Sequence, residues 1–235
     1  MPAKLLRFGS ALAIALAVAS WAAPSASALS TTYALSTLLT DDDNPYVGGQ
    51  LFVDVVDVAG QPQQVDFVFR NTGPIASTIT DVYFDDGALL GINSTTVASS
   101  PTVAFSQNAS PPQLPGGTTV DFNTSAGFSA DSDPPVIQNG VNPGQFLTIR
   151  YDLQAGKVYA DVISAIALAF TNLNTDIDGG LRIGVHVQAI DPTGNNGSDS
   201  YMLGEPVPEP STLAIAGLGA LGMIGYGLRR RRAQA

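Results

Sequence analysis

The residues best placed for chemistry form a short polar stretch in the last third of the chain. Asn174, Asp176 and Asp178 carry side-chain oxygens at alternate positions, and Gly179 follows them. Hard cations such as Ca²⁺ prefer oxygen ligands, and calcium loops supply those ligands from alternate residues around a turn-forming glycine. The spacing therefore predicts a calcium site at Asn174, Asp176 and Asp178, with calcium as the only cofactor that the chain suggests.

This stretch resembles the start of an EF-hand loop but departs from that pattern later on. The twelfth position carries Val185 instead of a bidentate glutamate, and Arg182 adds a repelling positive charge. A tight polar turn ahead of the next strand explains the same residues. Two further acidic clusters, at Asp41–Asp43 and Asp85–Asp86, are either additional cation sites or solvated loop acids.

Few side chains could act as catalytic groups. His186 is the single histidine and falls on the outward face of a predicted strand, where we expect it to be solvated. The chain has no cysteine, which excludes thiol enzymes and zinc sites built on several nitrogen or sulfur ligands. Both glutamates, Glu205 and Glu209, lie in the C-terminal segment, and no Gly-x-Ser-x-Gly motif occurs. We predict that the protein is not an enzyme.

The charge of the middle region is strongly negative. Between the two apolar ends only Arg70, Arg150, Lys157 and Arg182 are basic, against all 20 acidic residues, so the formal net charge there is about −16. Such a body repels nucleic-acid phosphates, and it attracts divalent cations or basic partners. The charge excludes nucleic-acid binding, and solubility of an extracellular protein explains it equally well.

Residues 29–204 alternate apolar and polar side chains with a period of two, the spacing of half-buried strands. The clearest runs are Val65–Arg70, Leu147–Leu153 and Leu181–Gln188, and further strands are expected near residues 50–58, 78–84, 102–106 and 118–123. Clusters of Gly, Pro, Asn and Asp separate them. About seven to nine short strands predict a mainly β ectodomain with the architecture of an antiparallel β-sandwich.

Residues 157–170 fit two structures. Val158, Val162, Ile166 and Ala169 form one helical stripe, which favours a short helix. Alternation of large and small side chains over the same segment also suits a strand. The helix is the preferred interpretation, and the segment is expected to be part of the core in either case.

Residues 1–28 have the features of a secretion signal. Basic Lys4 and Arg7 precede an apolar run over residues 11–19, and small residues follow at Ala26 and Ala28. We predict that signal peptidase cuts after Ala28, so that the mature chain begins at Leu29. The alternative is an uncleaved membrane helix.

The other end combines a proline-rich segment, an apolar stretch and a basic cluster. Residues 205–210 form a predicted stalk with Pro208, Glu209 and Pro210, and residues 211–228 are long enough for a helix of about 27 Å that crosses a bilayer. Arginines 229–232 (Arg229, Arg230, Arg231 and Arg232) favour the cytoplasmic side for residues 229–235. Membrane lipid is therefore an expected partner of the helix.

This ordered set resembles the PEP-CTERM sorting signal of Gram-negative bacteria. The resemblance rests on the Pro-Glu-Pro motif, the single helix and the arginine cluster, and it implies recognition by exosortase, a processing enzyme supplied in trans. The ectodomain itself resembles only uncharacterised proteins with the same tail, over residues 144–187. An ordinary single-pass anchor on a proline-rich stalk is the alternative for the tail.

These observations favour an exported, non-catalytic surface or extracellular-matrix protein, associated with biofilm or exopolysaccharide. It would be held briefly in the inner membrane and then reach the cell surface or matrix. The alternative is a carbohydrate-binding module, possibly calcium-dependent, in which exposed aromatic side chains such as Tyr83 or Tyr159 stack on sugars of extracellular polysaccharide. A surface hydrolase is the least favoured possibility, because no nucleophile or metal constellation supports it.

Overall fold

The computed structural model of the chain describes residues 28–40, 44–86, 89–91, 95–190, 197–208 and 218, without the side chains of 95–97. The predicted secretion signal as far as residue 27 lies outside these ranges, as do residues 209–235 except Leu218. Within the described part, no helix is both long and apolar enough to cross a bilayer.

Eleven strands in the described ranges form two antiparallel sheets, so the prediction of a mainly β fold is confirmed. The first sheet has five strands, in the order β1 (Ser30–Ala34), β3 (Leu51–Asp57), β4 (Gln64–Asn71), β9 (Gln145–Asp152) and β6 (Thr95–Ser99). The second has six, in the order β2 (Thr37–Leu38), β11 (Gly197–Met202), β10 (Leu181–Ile190), β5 (Thr78–Asp86), β8 (Ser129–Ser132) and β7 (Phe105–Gln107).

The two sheets pack face to face around one apolar core. Alternate residues of β4 are buried, as its period of two predicts, and they include Phe67 and Phe69. From the facing sheet, the ring of Phe84 lies 5.0 Å from the Phe67 ring and 4.9 Å from the Tyr151 ring, in edge-on contacts. These aromatic contacts join the sheets at their centre, as a sandwich requires.

Two α-helices occur in the described ranges, a single turn α1 (Val136–Asn139) and the longer α2 (Tyr159–Ala169). The preferred helical interpretation of residues 157–170 is thus confirmed. The carboxylate of Asp161 accepts a hydrogen bond from the Val158 amide at 2.8 Å, which satisfies one of the free donors at the helix start. Val162 and Ile166 are fully buried and face the core.

The loop after β7 covers the outer face of the second sheet. Leu114 and Phe122 from this loop pack with Tyr83 of β5 in a second, smaller apolar cluster. Gly184 of β10 makes this packing possible, because a Cβ atom there would collide with the Leu114 side chain. The second sheet is therefore buried on both faces at its centre.

The strand expected at residues 118–123 is wrong. Gly117–Val120 form a 3₁₀ helix flanked by Gly116 and Asp121, both with positive φ (73° and 53°). Left-handed residues on both sides stop the chain from continuing as an extended strand. The strand expected at residues 102–106 is also displaced, since β7 covers only Phe105–Gln107.

Candidate functional site

The candidate calcium residues lie in the turn that joins α2 to β10. Asp176 is half exposed, and its Oδ1 atom is 3.8 Å from the Arg182 guanidinium, a neighbour that opposes cation binding. The turn is closed from within by the Gly180 amide, which donates to the Ile177 carbonyl at 2.7 Å. In the described ranges, no three or more acidic, histidine or cysteine side chains are arranged to hold a metal ion. Calcium at Asn174, Asp176 and Asp178 stays a prediction.

The second acidic cluster, Asp85–Asp86, does not consist of solvated loop acids. Both residues end strand β5 and are buried. The Asp86 carboxylate accepts hydrogen bonds from the amides of Leu89 at 3.0 Å and Leu90 at 2.9 Å, and Asp85 forms an ion pair with Arg182. The carboxylate oxygens of Asp85 and Asp86 therefore make contacts that stabilise the fold. The third cluster, Asp41–Asp43, lies outside the described residues.

Arg182 fixes the covering loop to the second sheet. Its guanidinium is 4% exposed, contacts Asp85, and donates to the carbonyls of Val120 at 2.7 Å and Asp121 at 2.6 Å. It also lies over the Phe122 ring, 5.4 Å from the centroid. Burial raises the pKa of Asp85, while the Asn123 amide and the Arg182 charge oppose that effect. The sequence interpretation gave Arg182 only a role as a repelling charge, and so missed this contact.

The outer face of the second sheet carries a row of ionisable groups across three strands. Asp81 is 2% exposed, and its Oδ2 atom lies 3.0 Å from Nδ1 of His186 and accepts from the Thr80 hydroxyl at 2.8 Å. The expectation that His186 is solvated is wrong, since its side chain is 13% exposed and has a carboxylate partner. Asp131 of β8 stands directly opposite Asp81.

Among the described residues, this row lacks one contact of a hydrolase triad. Ser200 pairs with His186 across β10 and β11, which puts a hydroxyl, an imidazole and a carboxylate on neighbouring strands. The buried Ser200 hydroxyl, however, has no hydrogen-bond partner among the described atoms. The serine–histidine hydrogen bond of a hydrolase triad is thus not formed among the described residues.

Asp131 gives the protein a predicted dependence of stability on pH. Burial is the main cause that raises the pKa of Asp131 to about 6, and the charges of Asp81 and Asp133 raise it further. The unfolded value is about 3.9, so the folded state binds this proton more tightly. The free energy of unfolding should therefore fall as the pH rises from about 4 to about 6, and stay lower above that range.

Asp131→Asn should remove this fall. Because the group is partly solvated, we expect a gain of only about 1 kcal/mol over the wild type at neutral pH, and no gain near pH 4. Urea unfolding at several pH values measures the difference. Asp178→Asn, at an exposed aspartate, is the control and should keep the wild-type profile. A gain that is the same at all pH values would contradict the assignment to Asp131.

The aromatic residues suggested for sugar stacking are not on the surface. Tyr83 is fully buried under the covering loop, and its hydroxyl donates to the Pro111 carbonyl at 3.0 Å. Tyr159 is 9% exposed, and its hydroxyl bonds to the Thr31 hydroxyl at 2.8 Å. Neither ring can stack on a sugar, so that part of the carbohydrate-binding hypothesis is wrong.

The segment before the Pro-Glu-Pro motif is docked on the edge of the first sheet. We call residues 204–207 the C-terminal strap. The amides of Gly204 and Val207 donate to the carbonyls of Ala34 at 2.7 Å and Thr32 at 2.8 Å, and Pro206 pairs with Tyr33. Hydrogen bonding to the body thus continues to Val207, inside the segment predicted as a stalk.

Of the sorting motif itself, the structure describes Pro208, which is exposed. Glu209 and Pro210 lie outside the described residues, together with the arginine cluster. At the other end, Ala28 is exposed, Ala26 is outside, and the Leu29 carbonyl accepts the Asp57 amide at 2.8 Å. The predicted mature N-terminus therefore leads directly into β1, and the strap that precedes the sorting motif pairs with the side of β1 that faces away from β3.

Comparison with known proteins identifies the C-terminal segment alone. The family model described as the PEP-CTERM protein-sorting motif matches residues 206–232. No curated protein and no solved structure matches the chain. The chain carries a PEP-CTERM sorting motif, which implies export, transient contact with the membrane and processing by exosortase.

Proposed function

We propose that this protein is a non-catalytic structural component of the cell surface or extracellular matrix, released to that destination by exosortase processing at Pro208–Pro210. The observation that carries the proposal is the PEP-CTERM match over residues 206–232. The predicted leader, cut after Ala28, supplies the export step, and the predicted helix over residues 211–228 holds the chain in the inner membrane until it is processed.

The ectodomain supports a structural role in two ways. Its buried ionisable side chains form pairs within the fold, as in the Arg182–Asp85 and His186–Asp81 pairs. Its surface carries the large negative charge noted above, which suits an exposed protein in a hydrated matrix. Association with exopolysaccharide or biofilm would then rest on many weak polar contacts over that surface.

The test is to replace Pro208, Glu209 and Pro210 together by alanine in the natural host. Because the enzyme must recognise the motif to cut beside it, we expect the variant to stay full length in the inner membrane, whereas the wild type loses its tail and reaches the surface. Mass spectrometry of the C-terminus, with fractionation of the envelope, distinguishes the two. Glu205→Ala, which changes an exposed side chain within the strap and outside the Pro-Glu-Pro motif, is the control and should be processed normally. Equal processing of the triple variant would refute the proposal.

A further inference from the structure

The C-terminal strap ends immediately before the sorting motif, so the folded body and the motif share a boundary. Among the described residues, Val207 is the last with a hydrogen bond to β1, at 2.8 Å to the Thr32 carbonyl, and Pro208 begins the motif. The matched family region itself starts at residue 206. Its first two residues are therefore held in the ectodomain.

The docked strap leaves a very short free tether. Three residues, 208–210, separate Val207 from the predicted start of the membrane helix at Ser211, and three extended residues span about 10 Å at most. A folded body of this size is about 40 Å across. A membrane enzyme must therefore reach the motif in the space between the bilayer and the ectodomain. That space is much narrower than the ectodomain itself.

Release of the strap would remove this restriction. Freeing residues 204–207 lengthens the tether to seven residues, which span about 23 Å. The contacts to be broken are few, namely the Gly204 and Val207 hydrogen bonds and the Tyr33–Pro206 pairing. Leu203, which donates to the Ile183 carbonyl at 3.0 Å, stays on the body and limits the release. The opened state is thus accessible without unfolding of the sheets.

We propose that the C-terminal strap controls sorting: while residues 204–207 lie on β1 the motif is shielded by the ectodomain, and exosortase cuts only when the strap has been released. This inference rests on the proposed function, since it concerns the rate of the same processing step. It assigns to Gly204 and Val207 a role as regulatory residues that do not contact the reacting peptide bond. It also gives a reason for a folded domain that ends so close to a site that must be cut.

The experiment varies tether length while the docked contacts stay intact. Insertions of two residues (Gly-Ser) and of eight residues (four Gly-Ser repeats) between Val207 and Pro208 give the motif identical neighbours, but add about 7 Å and about 26 Å of reach. The rate of tail loss is measured by pulse-chase of the full-length chain in its natural host. We expect the eight-residue variant to be cut several-fold faster than the two-residue variant. Equal or slower cutting overturns the proposal.

A second variant tests release of the strap directly. Gly204→Pro removes the amide that donates to Ala34 and lies outside the motif, so the open population and the cutting rate should rise about fivefold. Glu205→Ala, next to it, is the matched control and should keep the wild-type rate. If circular dichroism shows that the Gly204→Pro variant is folded, a cutting rate at or below the wild-type value counts against the proposal. If the variant is not folded, the two insertion variants decide the question.

The outcomes separate this proposal from the one on which it rests. If the wild type keeps its tail, or if the triple alanine variant loses it equally fast, the proposed function fails. If loss of the tail depends on the motif but its rate does not change with tether length, only the proposal that the strap controls processing is refuted.

Discussion

Phe84→Ala is expected to lower the free energy of unfolding by about 3–5 kcal/mol, the usual cost of removing a buried phenylalanine. The Phe84 side chain is fully buried between the two sheets, with ring contacts to Phe67 at 5.0 Å, Tyr151 at 4.9 Å and Phe69 at 6.1 Å. Close-packed neighbours relax only in part, so the substitution leaves a cavity and also removes three edge-on aromatic contacts.

Urea unfolding followed by circular dichroism measures this loss. Phe84→Leu keeps most of the apolar volume and should cost less than half as much as the alanine variant. Phe146→Ala, on the partly exposed face of β9, is the control for removal of a ring and should change stability by less than about 1 kcal/mol. A Phe84→Ala variant as stable as the Phe146 control would mean that the sheets do not pack through this cluster.

Arg182→Ala is the second change with a large expected effect, about 3–5 kcal/mol of lost stability. The substitution leaves the Asp85 carboxylate buried without its cation, and it frees the carbonyls of Val120 and Asp121 from their donor. Because these contacts hold the covering loop, we also expect the substitution to accelerate hydrogen exchange in residues 114–123 more than in the sheets.

Two further variants show whether burial explains the size of the effect. Arg70→Ala breaks a bidentate ion pair with Asp54 that is partly exposed, and it should cost at most about 1 kcal/mol. The double change Arg182→Met and Asp85→Leu removes both buried charges and should recover much of the loss. If Arg182→Ala is no worse than Arg70→Ala, the guanidinium is not the anchor of the loop.

The sequence predicted the central strands of the first sheet well because each has one buried face. In β4 and β9, apolar residues alternate with polar ones along nearly the whole strand, and the period of two is unmistakable. Strands β1 and β11 were not predicted, since Ser30–Ala34 and Gly197–Met202 carry mainly small or polar residues. Pairing with neighbours, which a local pattern does not reveal, makes them strands.

The ionisable clusters could not be predicted from the local sequence pattern. Asp81, Asp131 and His186 are far apart in the chain, and only the register of β5, β8 and β10 places them in one row. Asp85 and Arg182 are brought together by the same register. A possible sign was the alternation of Asp81 and Asp85 with apolar residues along β5, but the covering loop that buries them could not be foreseen. The PEP-CTERM sorting motif, in contrast, is recognised from local sequence alone, and the family match over residues 206–232 confirms that recognition.

Pro206 has a consequence for how copies of this protein behave when crowded. Strand edges with free amides recruit further strands, and this is a common start of aggregation. The amide of Val207 donates to β1, so the neighbouring position 206 faces the outer side of the strap, and the proline there has no amide hydrogen to donate to a further strand. In the proposed matrix role, in which copies accumulate at high density, this edge would help neighbouring molecules to remain separate instead of joining into fibres.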